Sequence, residues 1–170
     1  MQIEIYPLEK VVIDGVSICL GMERAAVEAA IGGGECVRKR HYYYDSEMAI
    51  DYSDDGKVEF IEFLGGIDGV LHPSIYGVSA FDAPADELAM LLKEKNGGQI
   101  HDSEAEYSRA YLNISIGVYR ETIPTDVIAM IEEMKADGVT VENNEDVQAE
   151  QRKANHWAAI GVGAVGYYRR

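Results

Sequence analysis

Proline is scarce in this chain, four in 170 residues, and no low-complexity tract interrupts it, which excludes a disordered polypeptide. Long apolar runs are missing as well: none approaches the roughly 18 residues of a membrane-crossing helix. The opening MQIEIYPLEK has no basic stretch and no apolar core, so no secretory signal is expected. Cysteine occurs twice, at Cys19 and Cys36, in neither a CxxC nor a zinc-like spacing. The expectation is two reduced, largely buried thiols in a cytoplasmic protein, with a disulfide between them as the alternative.

Residues that announce chemistry are equally thin. His41, His72, His101 and His156 lie far apart, with no HxH, HExxH or His–Cys grouping. The serines include no GxSxG elbow. Carboxylates are too numerous for a catalytic pair to stand out. No catalytic residue, metal-ligand set or cofactor is therefore nominated. Cations are outnumbered: 15 Lys and Arg against 30 Asp and Glu leave a net charge of −15. Such a field repels phosphate backbones and disfavours nucleic acid, while it speeds encounter with a basic partner.

What is present begins with a 47% hydrophobic composition, enough to bury one continuous core or two very small ones. The charge is segregated. Residues 121–150 carry Glu121, Asp126, Glu132, Glu133, Asp137, Glu142, Glu145, Asp146 and Glu150 against Lys135 alone. CVRKRHYYY, residues 36–44, is a basic island. Tyrosine is abundant, eleven against three phenylalanines, with runs at Tyr42-Tyr43-Tyr44 and Tyr167-Tyr168. In a strand Tyr43 faces away from Tyr42 and Tyr44, so one side of the run is at least partly wet. Tyrosine there suits either a partner or the margin of a core.

QIEIYPL and VVIDGVSICLG read as strands. MERAAVEAAIGGG puts Met22, Ala26, Val27, Ala30 and Ile31 on one helical face before a glycine stop. Three strand-like runs follow, VRKRHYYY, EMAIDY and KVEFIEF, then a loop and a short strand around Ile75–Phe81. A helix opens at Pro84 with Leu88, Leu91 and Leu92 inward, RAYLNISIGVYR (109–120) is a strand, and a third helix runs from Pro124 to Gly138. Its inward residues are Val127, Met130, Ile131 and Met134. HWAAIGVGAVGYYRR closes as a strand.

PADELAMLLKEKNGG (84–98) aligns with PTDVIAMIEEMKADG (124–138) at an offset of 40. The pattern predicts an α+β fold, with antiparallel sheet and about three helices on one face. It is read as one compact domain, 1–170, with possible repeated units at about 18–64, 81–120 and 121–170.

Two motifs dissolve on inspection. DYSDDGKVEFIE (51–62) has the ligand order of an EF-hand loop, but HYYYDSEMAI before it and Gly65-Gly66 after it cannot supply the flanking helices. It reads as a hairpin turn with Gly56 at positive φ and its carboxylates facing water. GVGAVG (161–166) spells GxGxxG, yet no helix can follow in YYRR, so its glycines are read as permitting a bend or a close approach.

LGMERAAVEAAIG, followed by a meander ending YSDDGKVEFIEF, resembles the small outer-membrane assembly lipoproteins of the BamE type. The tandem helix-and-sheet plan is similar to the β-lactamase inhibitory proteins. The resemblance covers about residues 18–64 and again 81–120. It implies a helix laid on an antiparallel meander and no functional residues, since lipobox cysteine and disulfide framework are both missing. A small, acidic α+β chain of this kind also resembles, by type, the bacterial immunity proteins that neutralise basic toxins. The expectation is a non-enzymatic binding protein whose basic partner meets Glu132, Glu133, Asp137, Glu142, Glu145 and Asp146, with Tyr42, Tyr43 and Tyr44 as anchors. A scaffold domain working through sheet edges and tyrosines, or an enzyme of unrecognised class, is the alternative.

Overall fold

The computed structural model describes residues 1–104 and 106–170. Its first strands are β1 (Ile3–Tyr6), β2 (Lys10–Ile13) and β3 (Val16–Cys19), whose period-2 pattern sends Ile3, Ile5, Val11, Ile13 and Ile18 inward. VVIDGVSICLG is thus not one strand but a hairpin. It folds at Asp14-Gly15, where φ is 45° and 84° at the two residues. Helix α1 (Arg24–Ile31) ends at Gly32 with φ 91°. Of its expected apolar face only Val27 is fully buried. Met22 and Ile31 pack partly against the core, and Ala26 and Ala30 are exposed, because this short helix lies at the margin.

A meander follows: β4 (Glu35–Val37), β5 (Arg40–Tyr43), β6 (Met48–Tyr52) and β7 (Val58–Phe63). VRKRHYYY is divided by a turn at Arg38-Lys39, both at positive φ. The calcium-like letters form the β6–β7 hairpin, with Gly56 at φ 79° and Ser53 N–H donating to the Lys57 carbonyl at 2.8 Å. The expected strand near 75–81 is two short ones, β8 (Ser74–Ile75) and β9 (Val78–Ser79), broken by a turn at Tyr76-Gly77.

Helix α2 (Ala85–Asn96) buries Leu88 and Leu92, leaves Leu91 half-buried, and stops at Gly97 in the left-handed region. Buried Asn96 locks that end: its side-chain oxygen accepts from the backbone of Asn113 at 2.8 Å. β10 (Ile100–His101) precedes β11 (Ser108–Tyr111) and β12 (Ile116–Tyr119), so residues 109–120 form a hairpin rather than a single strand. α3 (Pro124–Ala136) is followed by a fourth helix, α4 (Glu145–Ala154), before β13 (Ala159–Gly163). The third helix–strand unit therefore contains two helices. The closing residues leave the strand at Ala164 and turn back in a 3₁₀ turn over Tyr167–Arg169.

The strands make two sheets, one of five in the order β3-β2-β1-β8-β9 and one of eight in the order β10-β11-β12-β13-β7-β6-β5-β4. Every pairing is antiparallel except β1 with β8. The α+β class read from the sequence is the observed one, with four α-helices among the described residues in place of about three. In the large sheet, β13 lies between β12 and β7 and joins two antiparallel halves.

One sheet face looks inward. Met48, Ile50, Ile61, Phe63, Ile116, Val118, Ile160 and Val162 cluster with Val27, Leu88, Leu92 and the isoleucines of the small sheet. α3 and α4 stand outside that cluster, packing on each other and burying Val127, Val147 and Ala154. Met130, Ile131 and Met134, expected inward, are only half-buried. Cys19 and Cys36 are free and exposed, against the expectation of buried thiols. One ends an edge strand, and the other lies on the outermost strand of the large sheet, beyond the reach of the core. No helix among the described residues is long and apolar enough to cross a membrane.

Candidate functional site

Two surfaces hold the residues nominated from the sequence. The first is the α3–α4 hairpin. Pro124 opens α3, and Asp126 caps it by accepting from the Ile123 backbone at 3.0 Å and from the Tyr107 hydroxyl at 2.8 Å. That hydroxyl pairs with a carboxylate, so the Tyr107 pKa is raised. Asn144 caps α4 through the backbone of Asp146 and Val147. Acids in the first turn of α4 and Arg152 and Lys153 in the last complement its dipole.

Glu132, Glu133, Asp137, Glu142, Glu145 and Asp146 are all exposed. Among the described residues none of these six side chains takes part in a hydrogen bond or ion pair. Of the cations on α4, Arg152 pairs with Asp68, and Lys153 with Glu150 at 3.4 Å; Lys135 on α3 makes no ion pair among the described residues.

The second surface is the face of the large sheet turned away from the core. Cross-strand register lays a row His101–Ala110–Gly117–Gly161–Glu62–Ala49–Tyr42–Glu35 across it. A neighbouring row runs Gly163–Phe60–Asp51–Arg40–Val37. Of the three tyrosines nominated, only Tyr42 stands on this face. Tyr43 points into the core at 5% exposure and hydrogen-bonds Tyr52 at 2.8 Å, which closes it to a partner. Tyr44 begins a turn at positive φ, so the alternation expected through residue 44 ends at 43.

Arg40 centres the face. Its guanidinium pairs with Glu62, stands 3.4 Å from Asp51, and lies over the rings of Phe60 and Tyr42 at 5.8 and 5.9 Å. Burial alone would lower its pKa, but Glu62 and Asp51 outweigh that and raise it. For Asp51 the balance is reversed: burial raises the carboxyl against the pull of Arg40. Asp51 is thus turned onto the sheet rather than toward open water, as the hairpin reading had it.

Residues 164–170 fold across the same face. Tyr167 stacks on Phe60, centroids 4.5 Å apart and planes 4° from parallel. Arg170 lies 5.0 Å over the Tyr167 ring and reaches Glu59 at 3.2 Å. Gly117 of β12 and Gly161 of GVGAVG make this possible. A Cβ at Gly117 would fall 2.3 Å from the Tyr168 hydroxyl, and one at Gly161 2.4 Å from Phe60. They admit side chains rather than a backbone. Beside Tyr168 an open groove of about 350 Å³ runs over β11, β12 and β13, walled by Tyr119, Glu62, Glu104, Ser108 and His101.

A further crevice of about 310 Å³ lies between α4 and the Gly65–Asp68 turn, with Arg120 and Trp157 at its base. Arg120 is 5% exposed and donates to the carbonyls of Glu106 and Ala154 at 2.8 and 2.7 Å, with its guanidinium 4.8 Å above Trp157. Burial lowers its pKa. It ties β12 to the C-terminal end of α4, a fastening that the isolated letter R in an acidic stretch did not announce. No family model matches this chain, and no curated protein or solved structure matches it.

Proposed function

We propose that this chain is a binding protein for a basic protein partner, of the immunity type that neutralises a cationic toxin such as a nuclease. The observation that carries this reading is the set of six exposed, unpaired carboxylates on and between α3 and α4. Asp51, Glu59 and Glu62 on the sheet, by contrast, have Arg40 or Arg170 beside them. Unneutralised charge on a projecting hairpin acts at a distance and steers a cationic surface, doing for the partner what phosphates do.

Proteins retained from native cell extract at low ionic strength supply the partner, and the association rate is then measured by stopped flow. The rate is expected to fall steeply with added salt, and to fall about tenfold in the E132K/E133K/E142K/E145K variant. A rate indifferent to both changes would remove the electrostatic reading.

A second reading, a scaffold domain, is favoured by one observation: edge strand β4 is exposed at all three residues, next to Tyr42. It requires binding that ignores salt and fails in Tyr42→Ala.

A further inference from the structure

The open sheet face already holds two guanidinium groups of its own chain, both in the same way. Arg40 lies over Phe60 and Tyr42 with Glu62 and Asp51 beside it. Arg170 lies over Tyr167 with Glu59 beside it. Each is an aromatic ring paired with a carboxylate, the combination that suits a planar, weakly hydrated cation.

The groove next to Tyr168 offers a third setting with the same components. Tyr119 is 43% exposed, Tyr168 forms the adjoining wall, and the Glu104 carboxylate lines it; Glu62, already paired with Arg40, and Arg109 line it as well. Gly117 and Ala159 lie at its floor, beside the Tyr168 hydroxyl that already covers Gly117, and the open volume is about 350 Å³. Burial raises the hydroxyl pKa of Tyr168, so it stays neutral beside Glu62 and presents a ring and a hydroxyl rather than a charge.

We propose that this groove docks an arginine side chain of the partner, inserted between Tyr119 and Tyr168 on a tyrosine- and arginine-bearing segment like the chain's own 166–170. The inference rests on the basic-partner reading and gives it a place: the hairpin carboxylates steer, and the groove holds.

The probe is the peptide acetyl-Gly-Tyr-Tyr-Arg-Arg-amide, titrated into the isotope-labelled full chain and followed by amide chemical shifts. Its counterpart with both arginines replaced by glutamate is the control. Saturable shifts are expected at Ser108, Gly117, Tyr119 and Gly161, with no response to the glutamate peptide. Tyr119→Ala, at an exposed position, is expected to weaken binding about tenfold without altering the rest of the spectrum.

Shifts confined to α3 and α4 would overturn the groove and leave the basic-partner reading standing. Shifts centred on Tyr167 and Tyr168 with loss of their packing would mean exchange with residues 166–170, and would also overturn it. So would a dimer formed by swapping that segment between copies, seen as a size that rises with concentration. No shift with either peptide would overturn the groove outright. The salt dependence of partner association, measured separately, decides the broader reading.

Discussion

His72 shows how much a single residue can settle without belonging to any motif. Its Nε2 meets the Gly69 carbonyl at 2.8 Å and its Nδ1 the Asp82 carboxylate at 2.9 Å. Asp82 also accepts from the Ser79 hydroxyl at 2.7 Å. The Ser79 hydrogen bond, and after it His72, lowers the Asp82 pKa despite slight burial. A carboxyl whose folded pKa lies below its unfolded value adds stability above the unfolded value, near 4, and loses it as pH falls through the folded one. Asp82→Asn is therefore expected to melt below wild type at neutral pH and to converge with it as pH drops well under about 4. Thermal melts across that range check this, and an unchanged gap in acid would dismiss it.

The pairing of His72 with Asp82 is not legible in the letters, because residues ten apart meet only through a loop whose path the sequence does not spell. The same holds for His156. Its Nδ1 lies 2.9 and 3.1 Å from the carbonyls of Phe81 and Ala83, and because both accept, that nitrogen carries the proton.

At the scale of elements, legibility followed apolar periodicity. α2 and α3 were read from their Pro starts and leucine or methionine spacing, and the β6–β7 hairpin from its Asp-Asp-Gly turn. α4 was missed because only Val147 and Ala154 of its ten residues are buried, so it has almost no apolar stripe to detect. Its legible signals were ends, not a face: Asn144 before Glu145-Asp146, and Arg152-Lys153 at the close.

GGIDGVLHP has no periodicity either, and its letters spell only a loop. It is pinned by Glu47, whose carboxylate accepts from the backbone of Val70 at 2.8 Å and Leu71 at 2.8 Å. Gly65 and Gly69 leave room for it: a Cβ at Gly65 would fall 2.5 Å from Glu47 Oε2. Glu47→Ala strips a charged acceptor from two backbone donors and is expected to cost about 1–3 kcal/mol. Hydrogen exchange of the Val70 and Leu71 amides should accelerate before that of β7. Unchanged protection at those two amides would show the loop is held otherwise.

For the molecule as a whole, composition conveyed class and charge but not layout. The antiparallel α+β class was legible, because turn residues split short apolar runs. The partition into two sheets was not, since it depends on β8 joining β1 in parallel across some seventy residues of sequence. Of the candidate site, the acidic stretch was legible as composition. The open sheet face was not: it exists only after β13 aligns Gly161 with Gly117 and Glu62.

A net charge of −15, with unpaired acids on one hairpin, also repels itself. Moderate salt is expected to stabilise the fold by about 1 kcal/mol, or roughly 2–4 °C in melting temperature for a chain of this size. A melting temperature that stays level or falls on adding sodium chloride would contradict this.

The placement of β13 has a consequence in time. The central strand of the large sheet leaves the ribosome after every strand it joins. Until it arrives, β12 and β7 each carry an unpaired edge, and two half-sheets wait side by side. Synthesis thus passes through a stage in which every other strand of this sheet is present and the sheet is still open along its middle.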